Sequence, residues 1–473
     1  MERRLEALFH ARLDLRVAGE SAQAFASLNF VSATNQFGSQ PSSPVYPHAN
    51  QPDSSSLETS VLIFACIVPS LAASRPPTSA CEVVTTGLGA ATFRPLGMAS
   101  TTDADHKELL ERAVAQVQKE LFPGHQPDNG APADPEALHA FFPPVYAGCW
   151  AIYRECVVSD GSRTRRNKEP IAATISSSNG CKCCTTSHTN FAVAAGADGY
   201  SLRASIAAGD PSLLTEENVR KVCSWAKECQ RRDAPALKEV PPFNMNEAPE
   251  IIGTIHMFNY LNRIVQKYLT TDLVLPAFPW PVKLLLRAFP FLQRPFFDLF
   301  FFSQLGKTVK EVGPLKQGAS LEILVVDSQL PGEFQWAQRN ASVAKAFTYW
   351  SWAMGELANK YIPKEVTKHV GKYIDEKYTG EAPPAANKWV YRVAKETGLS
   401  EAHQSAVRYM LLMSFARFQI DGAIKRALAR HFPDGRTQRA MGMWAAFKTA
   451  SAVSKWQGEC ALNYLPTGDI TGR

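Results

Sequence analysis

The spacing of apolar residues is the feature that most constrains how this chain can fold. Apolar residues recur at three- and four-residue steps over 103–121, 248–269 and 401–431, which gathers them on one face of a helix. Only 321–326 has the composition of a strand, so the pattern predicts an all-α fold. Similar spacing predicts further helices over 168–177, 181–208, 215–232, 336–361, 364–377, 388–397 and 437–456.

The length of the chain predicts more than one structural unit. Its 473 residues exceed what a single hydrophobic core usually organises. We predict two helical modules, over 98–270 and 317–473, the second a divergent copy in which 414–431 would replace the active helix without a cysteine pair. Between them, 271–316 is a connector rich in Pro and Phe. We expect it to pack over the core or form an oligomer interface rather than anchor at a membrane, since Pro, Lys and Arg interrupt it too often for a span.

The first 97 residues differ in composition from the rest of the chain. They are rich in Ser, Ala, Pro, Thr and Asn and lack a sustained pattern, which predicts a poorly ordered extension over 1–97. Its apolar run at 61–73 is too short for a bilayer and too far from the start for a secretory signal. A mis-assigned start codon before Met98 is one hypothesis. A mitochondrial presequence is the other, although acidic residues near the start argue against it.

Charge and cysteine usage exclude some classes of function. The formal net charge of +6 comes from interspersed residues, and no basic face with interleaved aromatics predicts a nucleic-acid partner. A short basic cluster formed by Arg163, Arg165, Arg166 and Lys168 is expected to be solvated surface. The ten cysteines are not spread like the disulfide framework of a small secreted domain. We therefore expect a reducing compartment, cytoplasmic or else mitochondrial.

One short stretch carries two cysteines and a histidine at helical spacing. Cys181 and Cys184 are three residues apart, and His188 follows four residues later, so the three side chains share one face of a helix. A reactive cysteine needs a thiolate, a base and a second thiol that resolves the oxidised sulfur. The stretch offers all three, with His188 as base or proton relay for Cys184.

The residues around this stretch favour the same chemistry. We expect Asn179 to be the helix N-cap and Gly180 to allow a sharp turn. The cysteines would then lie in the first turns, where unpaired N–H groups and the helix dipole lower the pKa of a thiol. Glu169, on the preceding helix, can bond the second ring nitrogen of His188 and orient the imidazole.

Other interpretations of the cysteine pair stay open. A closed zinc site needs four ligands, whereas Cys181, Cys184 and His188 offer three, and a second Cys-x2-Cys is missing from the sequence. Thioredoxin-like proteins place the same motif on a βαβ framework, which the pattern does not predict. The main alternative is a metal-binding or redox-sensing helical protein that uses the cluster without turnover. A further alternative is an interaction protein with a vestigial site.

The spacing of the whole set resembles that of a known family. Within 141–232, and more broadly within 98–269, the chain resembles the AhpD alkylhydroperoxidases of the carboxymuconolactone decarboxylase-like superfamily. Because the decarboxylase branch lacks the cysteine pair, the resemblance favours the peroxidase branch. The matching positions, separated by eleven, two and three residues, are Glu169, Cys181, Cys184 and His188.

The resemblance implies an AhpD-like fold and a cysteine-based peroxidase that needs no metal ion or other cofactor. The chain is also compatible with a homo-oligomer. It implies that Cys184 attacks the hydroperoxide and becomes a sulfenic acid. Cys181 would protonate the leaving group and then form a disulfide with Cys184, while His188 and Glu169 relay the activating proton. The net reaction converts ROOH to ROH and water, and an unidentified dithiol reductant reopens the disulfide. Cys183 is an added thiol that departs from this scheme.

Overall fold

The computed structural model describes residues 101–121, 136–268 and 309–466, apart from gaps at 325–327 and 382, together with positions 285, 288, 289 and 307. The extension over 1–97 and most of the 271–316 connector lie outside these residues, and so do the predictions made for them. The described residues belong to one compact unit, which extends from residue 94 to residue 473.

The described part of the chain is built from α-helices, with short 3-10 turns between some of them and a π-helical turn, Arg154–Val158, after α2, and it contains no β-strand. The prediction of an all-α fold is therefore confirmed. The helices are α1 (Thr101–Leu121), α2 (Pro143–Tyr153), α3 (Arg165–Ser178), α4 (Lys182–Ala194), α5 (Gly199–Ala208), α6 (Glu217–Glu228), α7 (Ala248–Tyr268), α8 (Ala341–Tyr361), α9 (Lys364–Lys377), α10 (Lys388–Glu396), α11 (Glu401–Phe415), α12 (Gly422–His431) and α13 (Gly435–Tyr464).

Helix α7 lies at the centre of the fold. Every residue over 248–265 is buried, because α7 packs against α3 from the first half of the chain and α13 from the second. Helix α2 packs in the same way against α8. Helices on both sides of the connector thus contribute to one continuous hydrophobic core. The two predicted modules share that core, and the hypothesis that the second is a copy of the first stays a prediction.

Two long helices that the sequence predicts are interrupted in the structure. The helix predicted over 181–208 is wrong, because α4 ends at Ala194 and α5 begins at Gly199. Gly196 adopts a φ of 98°, and the Asp198 carboxylate accepts hydrogen bonds from the first N–H groups of α5. The helix predicted over 401–431 is also wrong, because a 3-10 turn separates α11 from α12.

The basic cluster before Glu169 is not the solvated surface that the sequence predicts. Arg163, Arg165 and Lys168 are buried, and only Arg166 is substantially exposed. Each buried cation has a carboxylate within ion-pair distance, which offsets the cost of removing its charge from water. The distances are 3.0 Å from Arg163 to Glu247, 2.8 Å from Arg165 to Glu169 and 2.9 Å from Lys168 to Glu250.

Candidate active site

A sharp turn between α3 and α4 positions the two cysteines. Asn179 ends α3 in helical conformation, and Gly180 adopts the left-handed conformation with a φ of 68°, as expected of a glycine at such a turn. Cys181 then occupies the N-cap position of α4, and Cys184 lies in its first turn. The expectation that Asn179 is the N-cap is wrong, because the turn takes two more residues than the sequence suggested.

Asn179 instead fastens the turn to α7. Its side-chain amide donates a hydrogen bond to the Asn262 side chain at 3.0 Å. Its backbone carbonyl accepts a hydrogen bond from Gln266 at 3.0 Å and another from Arg417, which lies 238 residues further along the chain. The conformation just before Cys181 is therefore fixed from two directions, by the last turns of α7 and by the 3-10 turn after α11.

The two cysteine sulfurs form a buried dithiol. Cys181 is 1% exposed and Cys184 is 5% exposed, they are not joined in a disulfide, and the intervening Cys183 is exposed. The pKa of Cys181 is lowered, first by the hydrogen bond with the Cys184 thiol and then, against the effect of burial, by the Cys184 amide, Gln266 and Arg417. Burial and the neighbouring Cys181 sulfur raise the pKa of Cys184 well above its ordinary value. The first proton of the pair therefore leaves from Cys181.

Glu169 and His188 meet in the interior next to the dithiol. His188 Nδ1 lies 2.7 Å from Glu169 Oε2, and Arg165 Nε donates to Glu169 Oε1 at 2.8 Å. Burial raises the pKa of the Glu169 carboxyl, but Arg165 and His188 outweigh that effect and hold the pKa below its ordinary value. Glu169 is thus a buried carboxylate that fixes the orientation of the imidazole. The His188 ring also packs against Phe258, with centroids 4.3 Å apart.

The structure brings the four predicted residues together as two pairs. Glu169 contacts His188, and Cys181 contacts Cys184. His188 lies one helical turn after Cys184 on α4, a separation of about 6 Å along the axis. A relay between the pairs has to cross that distance, either directly between side chains or through one water molecule.

Sequence reasoning missed several residues that touch these pairs. Arg165 precedes Glu169 by four residues on the same helix, so its contact was readable from the spacing. The spacing gave no such signal for Asn262, Gln266 and Arg417, because these residues belong to segments that are far from the cysteines in sequence. Their positions follow from tertiary packing alone.

Two negative findings apply to the described residues. None of their His, Cys, Asp and Glu side chains form a group of three or more that could hold a metal ion. None of the helices described is both long enough and apolar enough to cross a membrane.

Comparisons with known proteins do not test the resemblance to the AhpD alkylhydroperoxidases. No model of a known protein family, no curated protein and no solved structure matches this chain. The likeness to the AhpD alkylhydroperoxidases therefore depends on the spacing of four residues and on their flanks.

Proposed function

We propose that this protein is a cysteine-dependent peroxidase that reduces hydroperoxides to alcohols and water through Cys181 and Cys184. The observation that carries the proposal is the buried hydrogen bond between Glu169 and His188, made one turn away from an unbridged, buried dithiol on the same helix. This set contains an ionisable thiol, a second thiol to resolve it, and a base oriented by a carboxylate. The AhpD-like spacing supports the same reaction.

In the proposed reaction, His188 Nε2 accepts the Cys184 proton, either directly or through one water molecule. The Cys184 thiolate attacks the distal oxygen of ROOH, forms Cys184 sulfenic acid and releases an alkoxide. Cys181, the more acidic thiol of the pair, protonates the alkoxide to ROH and becomes a thiolate. It then attacks the Cys184 sulfur, forms the disulfide and expels hydroxide, which becomes water with a proton relayed by His188 and Glu169. An external dithiol reduces the disulfide in a reducing compartment.

Steady-state turnover of cumene hydroperoxide with dithiothreitol as reductant tests the proposal. We expect turnover in the wild type and its loss in Cys184→Ser, because a hydroxyl at this position is not a nucleophile at neutral pH. Cys183→Ser is the matched control, since it removes the adjacent exposed sulfur, and it should retain wild-type turnover. Equal rates in wild type and Cys184→Ser would reject the proposed nucleophile. Oxidation that stops after a single event would indicate a redox sensor instead.

A further inference from the structure

Arg417 reaches the dithiol site from the second half of the chain. It lies in the 3-10 turn Arg417–Gln419, directly after α11. Its Nε donates to Gln266 Oε1 at 2.5 Å, and its Nη2 donates to the backbone carbonyl of Asn179. Gln266 donates to the same carbonyl, so the three groups form a closed set of hydrogen bonds beside the turn that leads into Cys181.

The charge of this guanidinium is not neutralised by those acceptors. An amide oxygen and a backbone carbonyl satisfy hydrogen-bond donors but carry no net charge. Burial and the nearby Arg263 lower the pKa of Arg417 to about 10, while Cys181 acts on that pKa in the opposite direction. A partly buried cation of this kind stabilises a neighbouring anion, and Cys181 is an ionisable group on which it acts.

We propose that Arg417 is a positioning residue of the active site, whose guanidinium, held by Gln266 and the Asn179 carbonyl, stabilises the anionic form of the Cys181 sulfur. The catalytic consequence rests on the proposed peroxidase function. The Cys181 thiolate forms when Cys181 protonates the leaving alkoxide, and it is then the nucleophile that displaces hydroxide from the sulfenic acid. Arg417 stabilises that anion. It also makes the site depend on the second half of the chain.

The other ionisable groups near this site come from several elements. Cys184 of α4 acts on Cys181, whereas Arg263 of α7 and Tyr378, after α9, act on Arg417. Arg263 donates to the Tyr378 hydroxyl at 2.7 Å and to the Ser414 carbonyl at 3.2 Å. Cys183 acts on Cys184 through the charge of its thiolate. Arg417 is therefore the cation whose removal should change the ionisation of Cys181 most directly.

The pH dependence of alkylation at Cys181 measures this effect without peroxide. Trypsin cleaves after Lys168, Lys182 and Arg203, so iodoacetamide labelling of Cys181 appears on a different peptide from that of Cys183 and Cys184. In Arg417→Gln we expect the midpoint for Cys181 to rise by about half a pH unit, the modest shift expected of a partly solvated cation. Arg417→Lys keeps a cation at this position, so its midpoint should lie close to the wild-type value. Arg430→Gln, which removes an exposed charge from α12, should leave the midpoint unchanged.

Each outcome of this experiment decides the inference. An unchanged Cys181 midpoint in folded Arg417→Gln would overturn it. If Arg417→Gln does not fold, Arg417→Met decides in its place, because methionine keeps much of the aliphatic bulk of the side chain, removes its charge and should also raise the midpoint. No rise there would likewise overturn the inference. If the midpoint rises in Arg417→Gln but the wild type shows no peroxide turnover, the role of Arg417 is supported and the proposed function is rejected. If the wild type turns over peroxide but the midpoint in Arg417→Gln is unchanged, the proposed function is supported and the role of Arg417 is rejected.

Discussion

At the scale of single residues, Glu169 shows how burial and charge are balanced at this site. Its two carboxylate oxygens have separate partners, Arg165 and His188, and the side chain is fully buried. Because Arg165 and His188 together outweigh the effect of burial on its pKa, the carboxyl remains ionised. Nδ1 of His188 is committed to that carboxylate, so proton exchange with the thiols has to use Nε2. In the proposed reaction, Glu169 orients the ring.

Glu169→Gln should lower peroxide turnover by about 100-fold, because the amide has nearly the same shape but supplies no charge to the imidazolium. Steady-state kinetics of folded protein would measure the loss. Glu216→Gln is the matched control, since Glu216 forms an exposed ion pair with Arg166, which belongs to the same helix as Glu169. It should keep wild-type turnover. Full activity in Glu169→Gln would contradict a catalytic relay through His188.

At the scale of secondary-structure elements, the joint between α3 and α4 determines where the sulfurs lie. The chain reverses through Gly180 in the left-handed conformation, which a residue with a Cβ adopts at a cost. A Cβ added there would meet no atom within 4 Å, so the cost of a substitution is conformational rather than steric. The positions of Cys181 and Cys184 therefore depend on one backbone angle.

Gly180→Ala should reduce the free energy of unfolding by about 1 kcal/mol. It should also lower turnover by about tenfold, because relaxation of the strained turn displaces Cys181 from Cys184. Gly209→Ala is the control, since Gly209 has a φ of 64° and equally open surroundings at the end of α5. It should lose similar stability and keep its turnover. Parallel losses of activity in the two variants would mean that stability alone accounts for the effect.

The sequence predicts the helices better than their interruptions. Apolar spacing identified α9 over the full length that the structure shows, and it gave α7 to within one residue. It failed over 181–208, where apolar spacing continues across a break that Gly196 and the Asp198 cap impose locally. The four site residues were readable because they lie within twenty residues of one another. Arg417 was not, because its contact joins distant parts of the chain.

At the scale of the whole molecule, the site depends on packing between the two halves of the chain. Helix α7 carries Asn262 and Gln266 on the side of the α3–α4 turn and packs against α13 elsewhere. The buried Arg263 of the same helix bonds to Ser414 and Tyr378 from the second half. Removing that half would expose a helix whose residues over 248–265 are all buried, and it would leave a buried cation without these acceptors.

A fragment over 98–270 should therefore not fold cooperatively by itself, although it contains Glu169, Cys181, Cys184 and His188. Circular dichroism and thermal unfolding of the fragment, beside the full chain, would measure this. The full chain should show one sharp transition. A fragment that unfolds cooperatively would show that the first predicted module is an independent domain, contrary to what the shared core leads us to expect.

Mapping the thiols after oxidation tests the central claim that Cys181 and Cys184 form a redox pair. The protein is treated with an equimolar amount of cumene hydroperoxide, alkylated and digested with trypsin without reduction. We predict a disulfide that links peptide 169–182 to peptide 183–203 through Cys184, with Cys183 alkylated, and its disappearance after dithiothreitol. Free Cys181 and Cys184 after peroxide treatment, or oxidation confined to Cys183, would contradict the account.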